Sequence, residues 1–355
     1  MKIDVFAAEN TYGTGVHFAK GLVSALQSQG VATRLFWIDD GHFFHAMHAI
    51  FDDPPDFTLS FADISLNRQP IGDLWKIPHF TWMVDPPIYF LHQMQGDYSY
   101  VGCVDKHDVH FIEKLGFERA YFLPHAADQN HLTPVRKDRP LKAVFFGTCV
   151  DYEMIADQWP SSIRSRLLAA CERVLSPANI SIAQALIEQG ISSQDFPFYH
   201  GEVDRYTRGK DRVMLIRSFK YPIHIWGEGP WKKYAPHHHV YAPVPFDQAL
   251  KIMKEAQVVI NSAPRFKGGA HERIFYALLC GAAVYTGENP YLKTHLPDLF
   301  TYQFGEWDSP SFENWQAKAT SGQEKVLACD TWGSRSIDFL KVLDFCCKRG
   351  IEGIG

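Results

Sequence analysis

The feature that most constrains the fold is a repeated alternation between short apolar runs and helix-type patterns. In the first third of the chain, runs typical of buried strands cover residues 3–8, 33–39, 57–62, 79–85, 100–105 and 120–125. Helical periodicity fills residues 15–29 and 106–115 between them. This alternation favours a parallel sheet with helices on both faces. Ligands of such sheets bind beyond the carboxyl ends of the strands, where the predicted strands end in Asp39, Asp85, Asp105 and His125.

The alternation stops at a polar, proline-bearing stretch at 129–141 and then begins again. Strand patterns resume at 143–147, 223–226, 240–244, 258–261, 283–286 and 300–303, with helical patterns at 246–256 and 271–280. A mainly helical insert at about 151–218 interrupts this second series. Because 355 residues exceed what one hydrophobic core usually supports, we expect two domains. The sequence therefore predicts an α/β architecture with parallel-sheet domains at 1–130 and 141–330, a linker between them, and a last helix in 331–355.

Charge and cysteine content exclude several classes of protein. The net charge of −5 provides no global basic field for nucleic acid, so no nucleic-acid partner is expected. The seven cysteines are odd in number and show no CxxC spacing, which predicts reduced thiols. The N-terminal residues enter a strand pattern directly, and no apolar run reaches 18 residues. We therefore expect a cytoplasmic protein without a transmembrane segment.

One segment, residues 257–281, carries the clearest chemical signal. It reads as a buried strand, a loop with Gly268 and Gly269, a helix of about three turns, and a glycine stop. Glycines before a helix let backbone amides approach a ligand, and the helix N-terminus favours phosphate. Lys267 and Arg273 flank that end, and an arginine in the first helical turn is unfavourable unless an anion is bound there. The alternative interpretation is a solvated loop with ordinary surface charges.

Two other phosphate-binding patterns are absent from the sequence. The segment lacks the Gly-Lys-Ser/Thr of a Walker A loop, and residues 12–15 near the N-terminus do not complete a GxGxxG fingerprint. A phosphate ligand would therefore depend on the end of the helix near residue 271 and on local cations.

The same segment resembles the signature of the spore-maturation-protein (CgeB-like) glycosyltransferases. The run GAHERIFYALLCGA at 269–282 is followed by GENPYL at 287–292, as in that family. Looser likeness extends to IWG at 225–227, VYAPVPF at 240–246 and FLPHAAD at 122–128. The resemblance covers most of residues 80–300 and is specific only around 257–292.

The resemblance implies a GT-B fold, in which two Rossmann-like domains face a cleft and the C-terminal one holds a nucleotide-sugar. The amides of Gly269, Ala270, His271 and Glu272 would then receive the diphosphate, and Arg273 would neutralise it. Gly227 and the stretch from Ala242 to Val244 would lie beside the base. The last helix would pack back on the N-terminal domain. The implied activity is sugar transfer from a UDP-, GDP- or dTDP-linked donor to an unidentified acceptor, without a metal ion or other cofactor.

The ribose contact is an open point of this resemblance. Many retaining relatives place a glutamate five residues before the glycine that ends the helix, and this chain has Tyr276 there. Either Glu272 or the hydroxyl of Tyr276 would take the ribose role.

Acid–base candidates come from the first domain, since an inverting transfer needs a base near the acceptor hydroxyl. Asp85 ends a buried strand and is followed by two prolines; its alternative role is a turn or cap carboxylate. His125 ends the last predicted strand of the domain, either in the cleft or as an inert hinge residue. His17 lies on the first helix, where a surface histidine is the simpler interpretation.

The sequence disfavours a metal site and leaves two other functions as alternatives. His237, His238 and His239 are adjacent, so they cannot all face one ion, and no Cys or Asp pair completes a tetrahedron. A nucleotide-sugar epimerase or an NAD enzyme is one alternative, although the missing GxGxxG disfavours NAD. A non-catalytic module that binds a glycan or a partner is the other.

Overall fold

The computed structural model describes residues 1–8, 13–38, 43–61 and 63–352, and the chain divides into two compact units. Unit 1 comprises Met1–Gln129 and Leu327–Gly355, and unit 2 comprises Asn130–Val326. The strands are β1 (Lys2–Ala8), β2 (Ala32–Ile38), β3 (Phe57–Ser60), β4 (Ser65–Leu66), β5 (Gln69–Pro70), β6 (His79–Met83), β7 (Ser99–Cys103), β8 (Ala120–Phe122), β9 (Leu141–Phe146), β10 (His224–Trp226), β11 (His239–Tyr241), β12 (Ala256–Asn261), β13 (Ala283–Gly287) and β14 (Phe300–Tyr302). The helices are α1 (Thr14–Ser28), α2 (Phe43–Asp52), α3 (Ile71–Trp75), α4 (Lys106–Lys114), α5 (Tyr152–Gln158), α6 (Ser161–Val174), α7 (Ile182–Glu188), α8 (Phe196–Ser218), α9 (Trp231–Tyr234), α10 (Phe246–Glu255), α11 (Glu272–Leu279), α12 (Pro290–His295), α13 (Trp315–Cys329) and α14 (Trp332–Glu352).

Unit 1 is built on a six-stranded sheet in the order β2-β1-β3-β6-β7-β8, and all its pairings are parallel. Its interior strands β3 and β6 are buried along their whole length, as expected of a sheet covered on both faces. The one acidic residue inside β1, Asp4, is fully buried and forms an ion pair of 2.6 Å with Arg34 of β2. That pairing compensates the cost of placing a carboxylate in the core.

The last helix belongs to unit 1. The chain re-enters this unit through backbone hydrogen bonds from Ala127 N to Asp330 O (2.9 Å) and from Trp332 N to Ala127 O (3.1 Å). α14 then packs against α1, and the buried Trp332 ring contacts the rings of Phe18, Phe61 and Trp82.

Unit 2 contains a second six-stranded parallel sheet, in the order β11-β10-β9-β12-β13-β14. Four helices, α5 to α8, lie in the chain between β9 and β10 and form the helical insert. Residues of α8 such as Val213, Leu215 and Ile216 share the sheet's hydrophobic core with Phe145 and Ile260. Together the two sheets confirm the predicted α/β fold with two parallel-sheet domains.

The segment predicted as a linker packs onto unit 2. Thr133 N donates to Leu279 O at 2.9 Å, and the buried Arg139 donates to the carbonyls of Ala256 (2.8 Å) and Cys280 (2.7 Å). This guanidinium satisfies carbonyls at the amino-terminal side of the sheet. The stretch predicted as a linker therefore makes specific contacts with unit 2.

Several predicted strands end earlier than expected. β8 ends at Phe122, before Pro124, and β11 ends at Tyr241, before Pro243. Proline cannot donate to a strand ladder, so pairing stops ahead of it. Asp85 lies two residues past β6, whereas Asp39 and Tyr12 lie outside the described residues. No described helix is long and apolar enough to cross a membrane.

Candidate functional site

The centre of the predicted site is the amino end of α11 in unit 2. His271 is the capping residue of this helix, with its Nδ1 lying 3.3 Å from the Arg273 amide nitrogen. At the other end, Gly281 adopts φ +74°, a left-handed conformation that suits glycine and stops the helix. The helix therefore begins at the point where the sequence places its phosphate-binding end.

Arg273 lies beside the carboxyl end of the neighbouring strand β12. Its Nη1 donates to Asn261 Oδ1 at 3.3 Å, and Asn261 Nδ2 donates in turn to Thr286 Oγ1 at 3.0 Å. Burial lowers the pKa of Arg273, while Glu272 opposes this effect. No described carboxylate lies within ion-pair distance of this guanidinium. Its position suits an anion at the carboxyl edge of the sheet.

The turn before α11 is held in place by Asn289. The side chain of this buried residue donates to the carbonyls of Phe266 (3.1 Å) and Gly269 (3.0 Å), and its Oδ1 accepts from Leu292 N at 2.9 Å. Asn289 belongs to the GENPYL run, which the sequence singled out without a role. The structure gives that run a function in fixing the turn that contains Gly269 and the fully buried Ala270.

His271 and Glu272 form a close pair at the start of α11. The distance from His271 Nδ1 to Glu272 Oε2 is 2.8 Å, and both side chains are only partly exposed. Burial lowers the pKa of the imidazole despite the neighbouring carboxylate. The Glu272 carboxylate therefore lies at the amino end of α11, and its assignment to the ribose stays a prediction.

Lys267 does not flank the helix end as predicted. Its side chain is fully buried, with Nζ donating to Val174 O at 2.7 Å and lying 4.4 Å from the centre of the Phe304 ring. Its position next to the glycines suggested a ligand contact, but the backbone turns the side chain into the core. The assignment of Lys267 to donor binding is corrected to a structural role.

Tyr276 is likewise a core residue. It is fully buried on α11, and its ring packs edge-to-face on Phe246 at 5.0 Å and against His131 at 5.8 Å. A side chain enclosed in this way is poorly placed for a ribose hydroxyl, so Glu272 is favoured for that role.

Arg212 of the helical insert is a functional candidate that sequence reasoning missed. Its Nη1 donates to Thr148 O at 2.9 Å, just beyond β9, which pairs with β12 in the sheet. Burial, reinforced by the guanidiniums of Arg208 and Arg273, lowers the pKa of Arg212 to about 9. A signal for it exists in the sequence, since titratable residues recur every fourth position at 200, 204, 208 and 212.

The residues predicted beside the base lie past β10 and β11. Gly227 N donates to Tyr241 O at 3.1 Å, and a Cβ at Gly227 would overlap the carbonyl oxygen of Gly147. Glycine is therefore required there for the close approach of two backbones. Ala242 and Val244 follow β11 in an irregular segment, with Ala242 exposed and Val244 partly buried.

The three acid–base candidates all lie in unit 1. Asp85 is exposed beyond β6, and His17 is partly buried on α1. His125 is only 3% exposed, and its ring lies 5.4 Å from that of Phe18 on α1. The enclosed position of His125 favours a packing role over proton transfer.

Unit 1 also contains a histidine–carboxylate pair that sequence reasoning did not single out. His92 Nε2 lies 2.9 Å from Asp63 Oδ2, and Gln93 donates to the other carboxylate oxygen. Both Asp63 and His92 are partly exposed. A carboxylate in this position fixes the tautomer and orientation of the imidazole.

Within the run of three adjacent histidines, His238 and His239 make packing or hydrogen-bond contacts in unit 2. His238 is buried, with Nδ1 accepting from Ile223 N (3.3 Å) and Nε2 facing Ile216 O (3.0 Å), while the His239 ring lies 4.8 Å from that of His224. In the part of the chain that the structure describes, no group of three or more His, Cys, Asp or Glu residues is arranged to hold a metal ion.

Comparisons with known proteins agree with this organisation. Residues 211–306, all within unit 2, match the family model described as glycosyl transferase-like. No curated protein matches the sequence significantly.

Three solved structures illustrate the similarity of fold. Sucrose-phosphate synthase from Thermosynechococcus elongatus has a TM-score of 0.58 at 10% identity, covering 98% of this chain and 99% of its own. AviGT4, a glycosyltransferase involved in avilamycin A biosynthesis, has a TM-score of 0.56 at 9% identity and covers 96% of both chains. The DNA-modifying enzyme β-glucosyltransferase has a TM-score of 0.55 at 10% identity, covering 97% of this chain and 100% of its own.

At such low identities the structural similarity establishes the fold alone, which is GT-B. Membership of the CgeB-like group stays a prediction. The match of residues 211–306 adds the biochemical class to the fold. The chain is therefore a glycosyltransferase with the GT-B fold, and its glycosyl transferase-like segment lies in unit 2.

Proposed function

We propose that the protein transfers a sugar from a nucleotide-sugar to an acceptor hydroxyl, with the donor's phosphates bound at the amino end of α11. The observation that carries the proposal is the position of Arg273. Its guanidinium, with no described carboxylate within ion-pair distance, lies at the carboxyl edge of a parallel sheet, next to a helix end that favours anions.

This arrangement suits the chemistry of glycosyl transfer. As the glycosidic bond breaks, negative charge develops on the leaving phosphate, and fixed donors at that point lower the barrier. Arg273 and the amides of residues 269–272 supply such donors, so the proposed mechanism needs no metal ion. Among the similar structures, the DNA-modifying β-glucosyltransferase uses uridine diphosphoglucose as its substrate. A UDP-, GDP- or dTDP-linked sugar is the proposed donor class.

Two groups of unit 1 fit the role of proton acceptor for the acceptor hydroxyl. Asp85 is exposed and follows a buried strand, and His92 is oriented by Asp63. An inverting course of transfer requires such a proton acceptor near the acceptor hydroxyl. A retaining course would not depend on them.

A thermal-shift screen over UDP-, GDP-, dTDP- and CMP-sugars, with NAD as a further ligand, tests the proposal. We expect one class of nucleotide-sugar to raise the melting temperature of unit 2 by about 5–10 °C at a hundredfold excess over Kd. Arg273→Gln should abolish the shift, because it removes the charge at the helix end. Arg136→Gln is the matched control, since Arg136 forms only an exposed ion pair with Glu255.

The outcomes separate the alternatives. A shift with NAD alone would favour an NAD enzyme. A nucleotide-sugar shift undiminished in Arg273→Gln would contradict the assignment of the phosphate site. Stabilisation by no nucleotide at all would contradict the proposed function and favour a non-catalytic binding module.

A further inference from the structure

One face of α8 carries a stripe of four titratable residues, three of which are buried in unit 2. His200, Asp204, Arg208 and Arg212 are spaced four residues apart, so they lie along the same side of the helix. His200 is 6% exposed, and Asp204 and Arg212 are each 9% exposed. Buried charges of this kind are costly unless they are paired or meet a ligand.

Arg212 is the member of the stripe at the edge of the sheet. Besides the hydrogen bond to Thr148 O, its Cζ would lie only 3.2 Å from a Cβ placed on Gly147. The guanidinium therefore rests on the backbone at the carboxyl end of β9. Its Nε is buried and has no hydrogen-bond partner among the described residues.

The carboxylates near Arg212 are engaged elsewhere. Asp211 accepts hydrogen bonds from Ser262 (2.6 Å), Tyr302 (2.7 Å) and Trp307 (2.9 Å). Asp204 forms its ion pair with Arg208 at 3.4 Å. Within the described residues, no carboxylate lies at ion-pair distance from Arg212.

Arg273 occupies the equivalent place at the next strand. It contacts Asn261 at the end of β12, and β9 and β12 are paired neighbours about 4.8 Å apart. The two guanidiniums are close enough for Arg273 to lower the pKa of Arg212. Neither guanidinium is paired with a described carboxylate, and the two lie at the ends of adjacent strands. They therefore match a ligand with two linked anionic groups, because each planar guanidinium can hold one phosphoryl group by paired hydrogen bonds.

We propose that Arg212 and Arg273 together form a clamp for a diphosphate, so that the site selects sugars linked to a nucleoside diphosphate over those linked to a nucleoside monophosphate. This inference rests on the proposed function and assigns the preference for a diphosphate donor to two named residues. It also gives the helical insert a role, since α8 supplies one arm of the clamp. The bound anion offsets the repulsion between the two arginines and the cost of burying them.

Isothermal titration at fixed ionic strength tests the clamp. The probes are UDP, GDP and dTDP, each compared with its own monophosphate. For the preferred base, we expect the unaltered protein to bind the diphosphate about tenfold or more tightly than the monophosphate, as one additional charge-assisted contact provides. In Arg212→Gln the diphosphate affinity should fall about tenfold, with less than about a threefold change for the monophosphate.

Two further variants control the experiment. Arg217→Gln alters an exposed arginine of the same helix and should leave both affinities unchanged. Arg212→Lys keeps the charge but loses the fork, so it should retain the fold and still lower the preference for the diphosphate about threefold. If Arg212→Gln fails to fold, the diphosphate preference of Arg212→Lys tests the clamp.

Each outcome has a definite meaning. An equal loss of diphosphate and monophosphate affinity in Arg212→Gln, or no loss of either, would overturn the clamp while leaving the proposed function intact. An unchanged preference in Arg212→Lys would also overturn it. If the unaltered protein bound none of the six nucleotides, the proposed function itself would fail, and the clamp with it.

Discussion

The ammonium group of Lys267 is a charge held in the interior of unit 2. It donates to Val174 O, lies over the Phe304 ring, and helps to stabilise the charge of the buried Asp211. Replacement by methionine keeps much of the volume but leaves that carboxylate without its nearby cation. We expect Lys267→Met to lower the free energy of unfolding of unit 2 by about 3 kcal/mol, measured by urea denaturation.

Lys293→Met is the comparison for this variant. Lys293 is exposed and forms only a surface pair with Glu288 at 3.3 Å, so the expected change is below about 0.5 kcal/mol. Equal stability of both variants would contradict the structural role of Lys267. A selective loss of nucleotide binding in a fully stable Lys267→Met protein would restore its original assignment to the donor site.

His79 introduces a pH dependence into the stability of unit 1. Its ring nitrogens lie 2.8 Å from Thr58 Oγ1 and 3.0 Å from Ser60 Oγ, and burial lowers its pKa to about 3. Between about pH 6.5 and 3 the unfolded chain binds a proton at this residue and the folded chain does not. The contribution of neutral His79 to the free energy of unfolding of unit 1 is therefore complete above pH 6.5 and is lost progressively as the pH falls.

The expected loss from His79 is about 2 kcal/mol between pH 6.5 and 5. Urea-unfolding midpoints of unit 1 at pH 7 and pH 5 measure this loss of stability. The difference between the midpoints at the two pH values should be correspondingly smaller in His79→Gln. His110→Gln, which alters an exposed histidine, should keep the full difference. An identical pH dependence for His79→Gln and the unaltered protein would contradict the account.

At the scale of single residues, the sequence predicted those features that depend only on neighbouring residues in the chain. The helix that contains Arg273 was predictable from two glycines before it, apolar periodicity along it and a glycine at its end, all within 25 residues. The role of Arg212 depends on β9, β12 and α8 meeting in space, and the orientation of Lys267 depends on the loop's path into the core. Neither is encoded by neighbouring residues, although the four-residue spacing along α8 marks one face of the helix.

At the scale of elements, helices α1 and α14 pack together with little spare room. A Cβ added to Gly21 would lie 2.7 Å from Nε1 and 2.9 Å from Cγ of Trp332, which is itself packed among other aromatic rings. We expect Gly21→Ala to destabilise unit 1 by about 1–3 kcal/mol, because the indole has no space into which to move. Thermal unfolding followed by tryptophan fluorescence measures this change.

Gly333→Ala serves as the control within α14. The added methyl would meet only Thr331 Oγ1 at 3.5 Å, an ordinary contact, and alanine favours a helix over glycine by up to about 1 kcal/mol. It should leave the melting temperature unchanged or raise it. A neutral Gly21→Ala would show that α14 does not pack tightly on α1 in solution.

The order of strands and helices was predictable because buried parallel strands are apolar along their length. Element ends were less predictable, since Pro124 and Pro243 stop pairing before the apolar pattern ends. The packing of residues 130–140 was not predictable, because Arg139 reaches carbonyls contributed by residues more than 110 positions away.

At the scale of the whole molecule, the protein carries a net charge of −5, and its candidate anion site is local. The site depends on two guanidiniums, one helix end and a turn fixed by Asn289, all within unit 2. The acid–base candidates are all in unit 1. Sequence alone anticipated this division between the two parallel-sheet domains, whereas the assignment of each side chain required the fold.

The most direct test of the central claim is donor turnover. The release of nucleoside diphosphate from the preferred nucleotide-sugar is followed with time, with simple sugars as acceptors and with water alone. We predict repeated turnover by the unaltered protein and a fall of at least about a hundredfold in Arg273→Gln, in line with the loss of one donor that stabilises the leaving charge. Donor binding without any turnover, or turnover equal in the two proteins, would contradict the account.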